Sequence, residues 1–141
     1  MDQTPPLSFE TEPKLIIRPF SFYVKTFKEP YLFAGKMHAL LFREWKTRVK
    51  GRDWYDFEWY IKRGTTLSLS HLQSRAIQSN HLPKDTILDK EILTQLLVEK
   101  ISRTDIENAL YDIKRFIQNP KELDIWSKQY FLDLVSMMKV V

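Results

Sequence analysis

The chain has 141 residues, 43% hydrophobic and 28% charged, and its 22 Lys and Arg outnumber 18 Asp and Glu by four. That size and balance suit one globular core, so neither a disordered nor a fibrous chain is the default, and the chain is expected to be globular. The absence of cysteine excludes disulfides, thiolate metal sites and cysteine nucleophiles, and three glycines, Gly35, Gly51 and Gly64, cannot build a Walker or dinucleotide loop. Residues 1–9 have no basic-then-apolar signal pattern, and no stretch approaches the roughly 18 uninterrupted apolar residues of a membrane span, so a cytoplasmic location and no membrane partner are expected.

Residues 1–13 carry Pro5, Pro6 and Pro13 and read as an extended arm. Leu15-Ile16-Ile17 and Phe22 to Phe27 are β-branched or aromatic, with Arg18-Pro19 between them, and predict two short strands. From Pro30 the period changes to 3.6. Phe33, Met37, Leu40 and Leu41 share a face, so residues 30–44 read as an amphipathic helix with Pro30 in its first turn. A second helix is expected from Arg52 to Arg63, closed by Gly64 as a left-handed cap.

The remainder also reads as helix: Leu69 to Ser79, Asp85 to Ser102, Thr104 to Gln118 and Leu123 to Met138. Thr104 and Glu107 have capping-box spacing, and Asn119-Pro120 should stop that helix. Leu88, Ile92 and Leu96, then Ile106, Leu110, Ile113 and Ile117, mark ordinary bundle packing with no charged residue at the centre of either helix. The expected architecture is α+β but mostly helical: an arm and two strands over residues 1–28, then a helical domain over 29–141.

The net charge is concentrated. Arg43, Lys46, Arg48, Lys50 and Arg52 face only Glu44 within ten residues, which equals the excess of the whole chain. Such a cluster attracts phosphates over roughly 8–10 Å. Two further charges stand where a helical wheel calls for apolar groups: Lys36 between Leu32 and Leu40, and Asp53 on the stripe of Trp54, Phe57 and Ile61. An unpaired buried charge is costly, so the simplest expectation pairs Lys36 with Asp53 across neighbouring helices. Three readings of the pair remain open. Lys36 snorkels while Asp53 caps its helix, or the two form a register-fixing salt bridge, or they line a phosphate site.

The aromatic group Trp45, Trp54, Tyr55, Phe57, Trp59 and Tyr60 has the spacing of core, with Trp45 and Tyr55 falling off the buried stripe. The three histidines, His38, His71 and His81, have no zinc-site spacing.

The run Gly35-Lys36-Met37-His38-Ala39-Leu40-Leu41-Phe42-Arg43, followed by Lys50-Gly51-Arg52-Asp53-Trp54-Tyr55-Asp56-Phe57, resembles the AbiEii/AbiGii nucleotidyltransferase-like toxin family. That family carries a K-x-x-A-L-x-x-R helix and then a (K/R)-G-R-D-x-Y-D motif. The resemblance implies a polymerase-β-like fold that transfers a nucleotide from a nucleoside triphosphate, with Lys36 and Asp53 as the active-site lysine and aspartate. It further implies phosphate contacts from Arg43, Lys50 and Arg52, and structural support from Asp56 and Tyr55. The strands leading into the first helix would then be the end of the family's sheet.

The family's early motifs, a Gly-Ser pair and a D-x-D dyad, do not occur in this sequence. On the resemblance, the chain corresponds to the C-terminal portion of such an enzyme. Mg²⁺ and a nucleoside triphosphate would serve it only if a missing N-terminal half is supplied, and none is expected for the chain alone. Candidate partners are that half, an antitoxin and RNA. The competing reading is a non-catalytic helical module that binds a protein or nucleic acid through the Arg43 to Arg52 loop.

Overall fold

The computed structural model describes residues 18–43 and 50–141, with side chains from Lys28 onward. Its elements in order are α1 (Arg18–Phe42), α2 (Gly51–Arg63), β1 (Thr66–Leu67), α3 (Leu69–Gln78), α4 (Lys90–Arg103), α5 (Ile106–Lys114), a 3-10 turn (Pro120–Leu123), α6 (Lys128–Met137) and β2 (Lys139–Val140). The mostly helical architecture is therefore observed, with α1 packed on α2 and α3, α2 on α5, and α4 on α6.

The strands are not where the sequence places them. Phe22 to Phe27 lies inside α1, which passes residue 28 without a break, while Leu15 to Ile17 and the arm fall outside the described residues. The error has a physical source: Phe20, Val24, Phe27 and Tyr31 also satisfy a helical period, and strand propensity yields to context. Pro30 consequently stands in the interior of a 25-residue helix rather than in its first turn. Its carbonyl accepts the Ser68 N–H at 3.2 Å, tying α1 to the start of α3. The sheet is instead a parallel pair, Thr66 against Lys139 and Leu67 against Val140.

The second helix matches its expected span within a residue, and Gly64 takes φ 75°, the left-handed cap that a Cβ would strain. Other ends differ. Asp105, not Thr104, caps α5 by accepting the Asn108 N–H at 3.1 Å, while the Thr104 hydroxyl donates to the Lys100 carbonyl at the end of α4. Asn119-Pro120 begins a 3-10 turn, five residues after α5 has closed at Lys114.

One core runs through the bundle. Phe33 of α1 stacks on Tyr60 of α2 with ring centroids 4.8 Å apart, and Phe131 of α6 meets Trp54 and Trp126 edge-on at 5.0 Å each. Leu93, Leu97 and Ile101 of α4 close the other side. Trp54, Phe57 and Tyr60 are core as expected, and Tyr55 is half-buried. Among the described tryptophans, Trp59 is the exposed one, with the Arg63 guanidinium 4.8 Å from its ring centre. Trp45 lies outside the described residues.

Candidate functional site

The seam between the C-terminal half of α1 and the first turns of α2 gathers most of the charged residues singled out in the sequence. Two acids one helical turn apart on α2, Asp53 and Asp56, face α1, as an i, i+3 spacing requires. The Lys36 ammonium lies 3.2 Å from Asp56 Oδ2, and the Arg43 guanidinium 3.5 Å from Asp53 Oδ1. Lys36 and Asp53 are thus neighbours in one site but not partners: each takes a different opposite charge. The wheel identified the right face but could not fix the relative height of the two helices, which decides which acid meets the lysine.

Asp53 is the more deeply buried acid, and burial pushes its carboxyl above the ordinary value; Arg43, Lys50 and Lys36 pull it back, while Asp56 pushes in the same direction as burial. Its place in the first turn of α2 also favours negative charge against the helix dipole. Asp56 carries two cations, since Arg52 approaches its other oxygen at 3.7 Å. The Oδ2 atom of Asp56 nevertheless has no hydrogen bond, although it is buried, because Lys36 sits at ion-pair distance without hydrogen-bond alignment. An acceptor left in that state is costly, so the seam keeps unused bonding capacity.

Lys50 occupies the N-cap position of α2 in an extended conformation and makes no side-chain cap. The cap comes from elsewhere. Gly51 N–H donates to Asp112 Oδ2 of α5 at 2.9 Å, and a Cβ on Gly51 would stand 2.2 Å from the Ala109 carbonyl oxygen. The glycine of the K-G-R-D run is therefore the contact point of two helices. Asp112 corrects the expectation that the later helices carry no central charge: it is buried, on the stripe of Ile106, Ala109 and Ile113. The wheel test applied to Lys36 would have found it. Tyr55 packs at the edge of the core, its phenol pushed up first by burial and then by Glu122, Glu58 and Asp56. Lys46 and Arg48 of the basic segment lie outside the described residues.

The family model described as nucleotidyl transferase AbiEii toxin, type IV toxin–antitoxin system, matches residues 2–133. The chain belongs to this AbiEii family. No curated protein and no solved structure gives a significant match. The AbiEii match covers the seam and the helices behind it, so the residues above belong to the part of the chain that carries the family signature.

Nucleotidyl transfer calls for Mg²⁺, which prefers a near-octahedral set of oxygens. The acids of the AbiEii seam do not fit that demand: Asp53 and Asp56 are both engaged by cationic side chains. Among the described residues no group of three His, Cys, Asp or Glu side chains converges as a ligand set. What the arrangement can do is hold Lys36 and Arg43 in place, partly exposed, on acids that fix their positions. No described helix is long and apolar enough to cross a membrane.

Proposed function

We propose that this chain forms the phosphate-gripping part of a nucleotidyl transferase toxin: use of Mg²⁺ and the triphosphate as cofactors awaits the missing half, while the cations of this chain alone hold the triphosphate without transferring the nucleotide. The carrying observation is the row of alternating charge along the α1–α2 seam, in which Asp56 holds Lys36 and Arg52 while Asp53 holds Arg43. Phosphate oxygens arriving at that row meet cations already oriented, which is the main contribution of a protein to phosphoryl and nucleotidyl chemistry. Lys50 adds to the positive potential that draws the anion in.

Asp53 is the acid we place nearest the reaction. Burial moves its carboxyl toward the range of a proton acceptor, while Arg43 favours the ionised form. Asp56 acts through Lys36, as a positioning residue. Transfer itself needs metal-holding carboxylates in the Gly-Ser and D-x-D region, which this sequence lacks. A second polypeptide carrying them, an antitoxin of the type IV system and an RNA acceptor are the partners this reading assigns; it also keeps the protein in the cytoplasm, where nucleoside triphosphates are available.

Calorimetric titration with a nucleoside triphosphate and Mg²⁺ tests the site. Lys36→Ala should weaken binding about tenfold or more while the fold survives, because the lysine is partly exposed and Arg52 still pairs with Asp56. Undiminished binding in a Lys36→Ala, Arg43→Ala double variant would overturn the site. Turnover by the purified chain would overturn the claim that it is inactive alone. Binding of nucleic acid but no triphosphate would favour the non-catalytic module instead.

A further inference from the structure

The other flank of α1 carries a second collection of groups. Tyr31, Gly35, His38 and Phe42 recur at helical spacing along it and face α3 and the turn that follows. Opposite Tyr31 stands His71, with ring centroids 5.2 Å apart. Opposite Gly35 lies the Arg75 guanidinium, whose carbon would be 4.0 Å from a Cβ at that position. His38 Nε2 is 3.0 Å from Ser79 Oγ, which is 2.6 Å from His81 Nδ1, and the His81 ring stacks on Phe42 at 4.7 Å. All three histidines of the chain and one arginine thus line a single seam.

The hydrogen-bond arithmetic orients these rings. Ser79 Oγ has one proton and three neighbours, the third being the Ala76 carbonyl at 3.2 Å. A carbonyl only accepts, so that proton goes to Ala76, and His38 Nε2 and His81 Nδ1 both donate their N–H to Ser79. Both rings therefore point one nitrogen at Ser79, and no described residue takes the other, His38 Nδ1 or His81 Nε2. Nor does any described carboxylate form an ion pair with Arg75.

We propose that this edge of the α1–α3 seam binds a phosphate group, gripped by Arg75 and flanked by His38, His71 and the Ser79–His81 pair. A guanidinium presents a fork that suits a tetrahedral oxyanion, and imidazoles add donors once protonated. Like charge without a counter-charge is the physical argument. Burial first, and then Arg75, lowers the pKa of both His38 and His71, and His81 adds to the effect on His38. A bound anion reverses those Coulomb effects. The site is separate from the Lys36 seam, because residues two apart on a helix face different ways.

The test follows the three imidazoles by NMR in the full chain, at constant ionic strength, during titration with inorganic phosphate and, separately, with a nucleoside triphosphate. Saturable shifts of His38 and His71 are expected, absent in Arg75→Gln and retained in Lys36→Ala. Sulfate, whose charge does not change near neutrality, should bind about tenfold more tightly at about pH 6 than at about pH 7.5. Tighter saturation by the triphosphate identifies a nucleotide as the source of the phosphate, and equal or tighter saturation by inorganic phosphate identifies the free ion. Shifts that never saturate, that survive Arg75→Gln, or that vanish in Lys36→Ala overturn the proposal. The last outcome would move the anion to the Lys36 seam and leave that reading intact.

Discussion

The carboxylate of Asp112 accepts the N–H of Gly51 at 2.9 Å, so the first turn of α2 is capped by a side chain from α5, 61 residues away. Because a helix N-terminus leaves its first N–H groups without partners, this bond lets α2 begin in a buried contact. Asp112→Ala should destabilise the fold by about 1–3 kcal/mol, the range for stranding a buried donor, and Asp112→Asn should recover part of it through its amide oxygen. Urea denaturation of the two variants checks this. An Asn variant no better than Ala would show that the charge, not the acceptor, matters.

The three glycines should respond to alanine with three different outcomes. Gly51→Ala drives a Cβ into the Ala109 carbonyl and should cost about 3 kcal/mol or more. Gly64→Ala places a side chain at φ 75°, meeting nothing closer than Lys139 Nζ at 3.8 Å, and should cost about 1 kcal/mol. Gly35→Ala meets nothing closer than Arg75 at 4.0 Å and should stabilise α1 by up to about 1 kcal/mol. Thermal melts of the three variants give the order directly.

Glu58 joins α2 to the end of the bundle. Its carboxylate accepts the Trp126 indole N–H at 3.3 Å and the Tyr130 hydroxyl, with Lys62 3.3 Å away. Burial first, and then Glu58, pushes the Tyr130 phenol up. Glu58→Ala should cost about 3–5 kcal/mol by leaving two donors unpaired, and Glu58→Gln less. In a double-mutant cycle, Glu58→Gln and Tyr130→Phe should be non-additive; additive losses would mean the bond contributes nothing of its own.

Stability should rise with pH across the window just below 6.5. His38 and His71 have lowered folded pKa values, so the unfolded chain binds more protons there and acid favours unfolding. In chloride buffer, unfolding free energy measured at successive pH values should show this slope. Arg75→Gln should flatten it, since Arg75 contributes to both shifts; an unchanged slope would leave burial, with His81 beside His38, as the cause.

How much of this was legible in the sequence depended on the range of the interaction. The α2 span and its Gly64 cap were readable because cap and period are local. Lys36 and Asp53 were traced to one seam because a misplaced charge marks a helix face. Their partners, Asp56 and Arg43, were not, because pairing depends on how far one helix slides along another. Phe22 to Phe27 is ambiguous in the sequence, because a short aromatic run suits either period and only its continuation into residues 30–42 decides for helix. The Asp112 cap depended on a contact between distant helices that no local pattern reports.

The two-residue strand at Thr66–Leu67 has to wait for Lys139–Val140, and Val141 then ties in twice, accepting from Leu69 N–H and donating to Leu67 C=O. During synthesis, then, the Ser68–Pro30 bond can hold the start of α3 to α1 early, while β1 and the Leu69 N–H wait until the chain has been made through Val141. Arrest before Lys139 would release a bundle with nearly all its apolar packing but an open clasp, with β1 left as an unpaired edge.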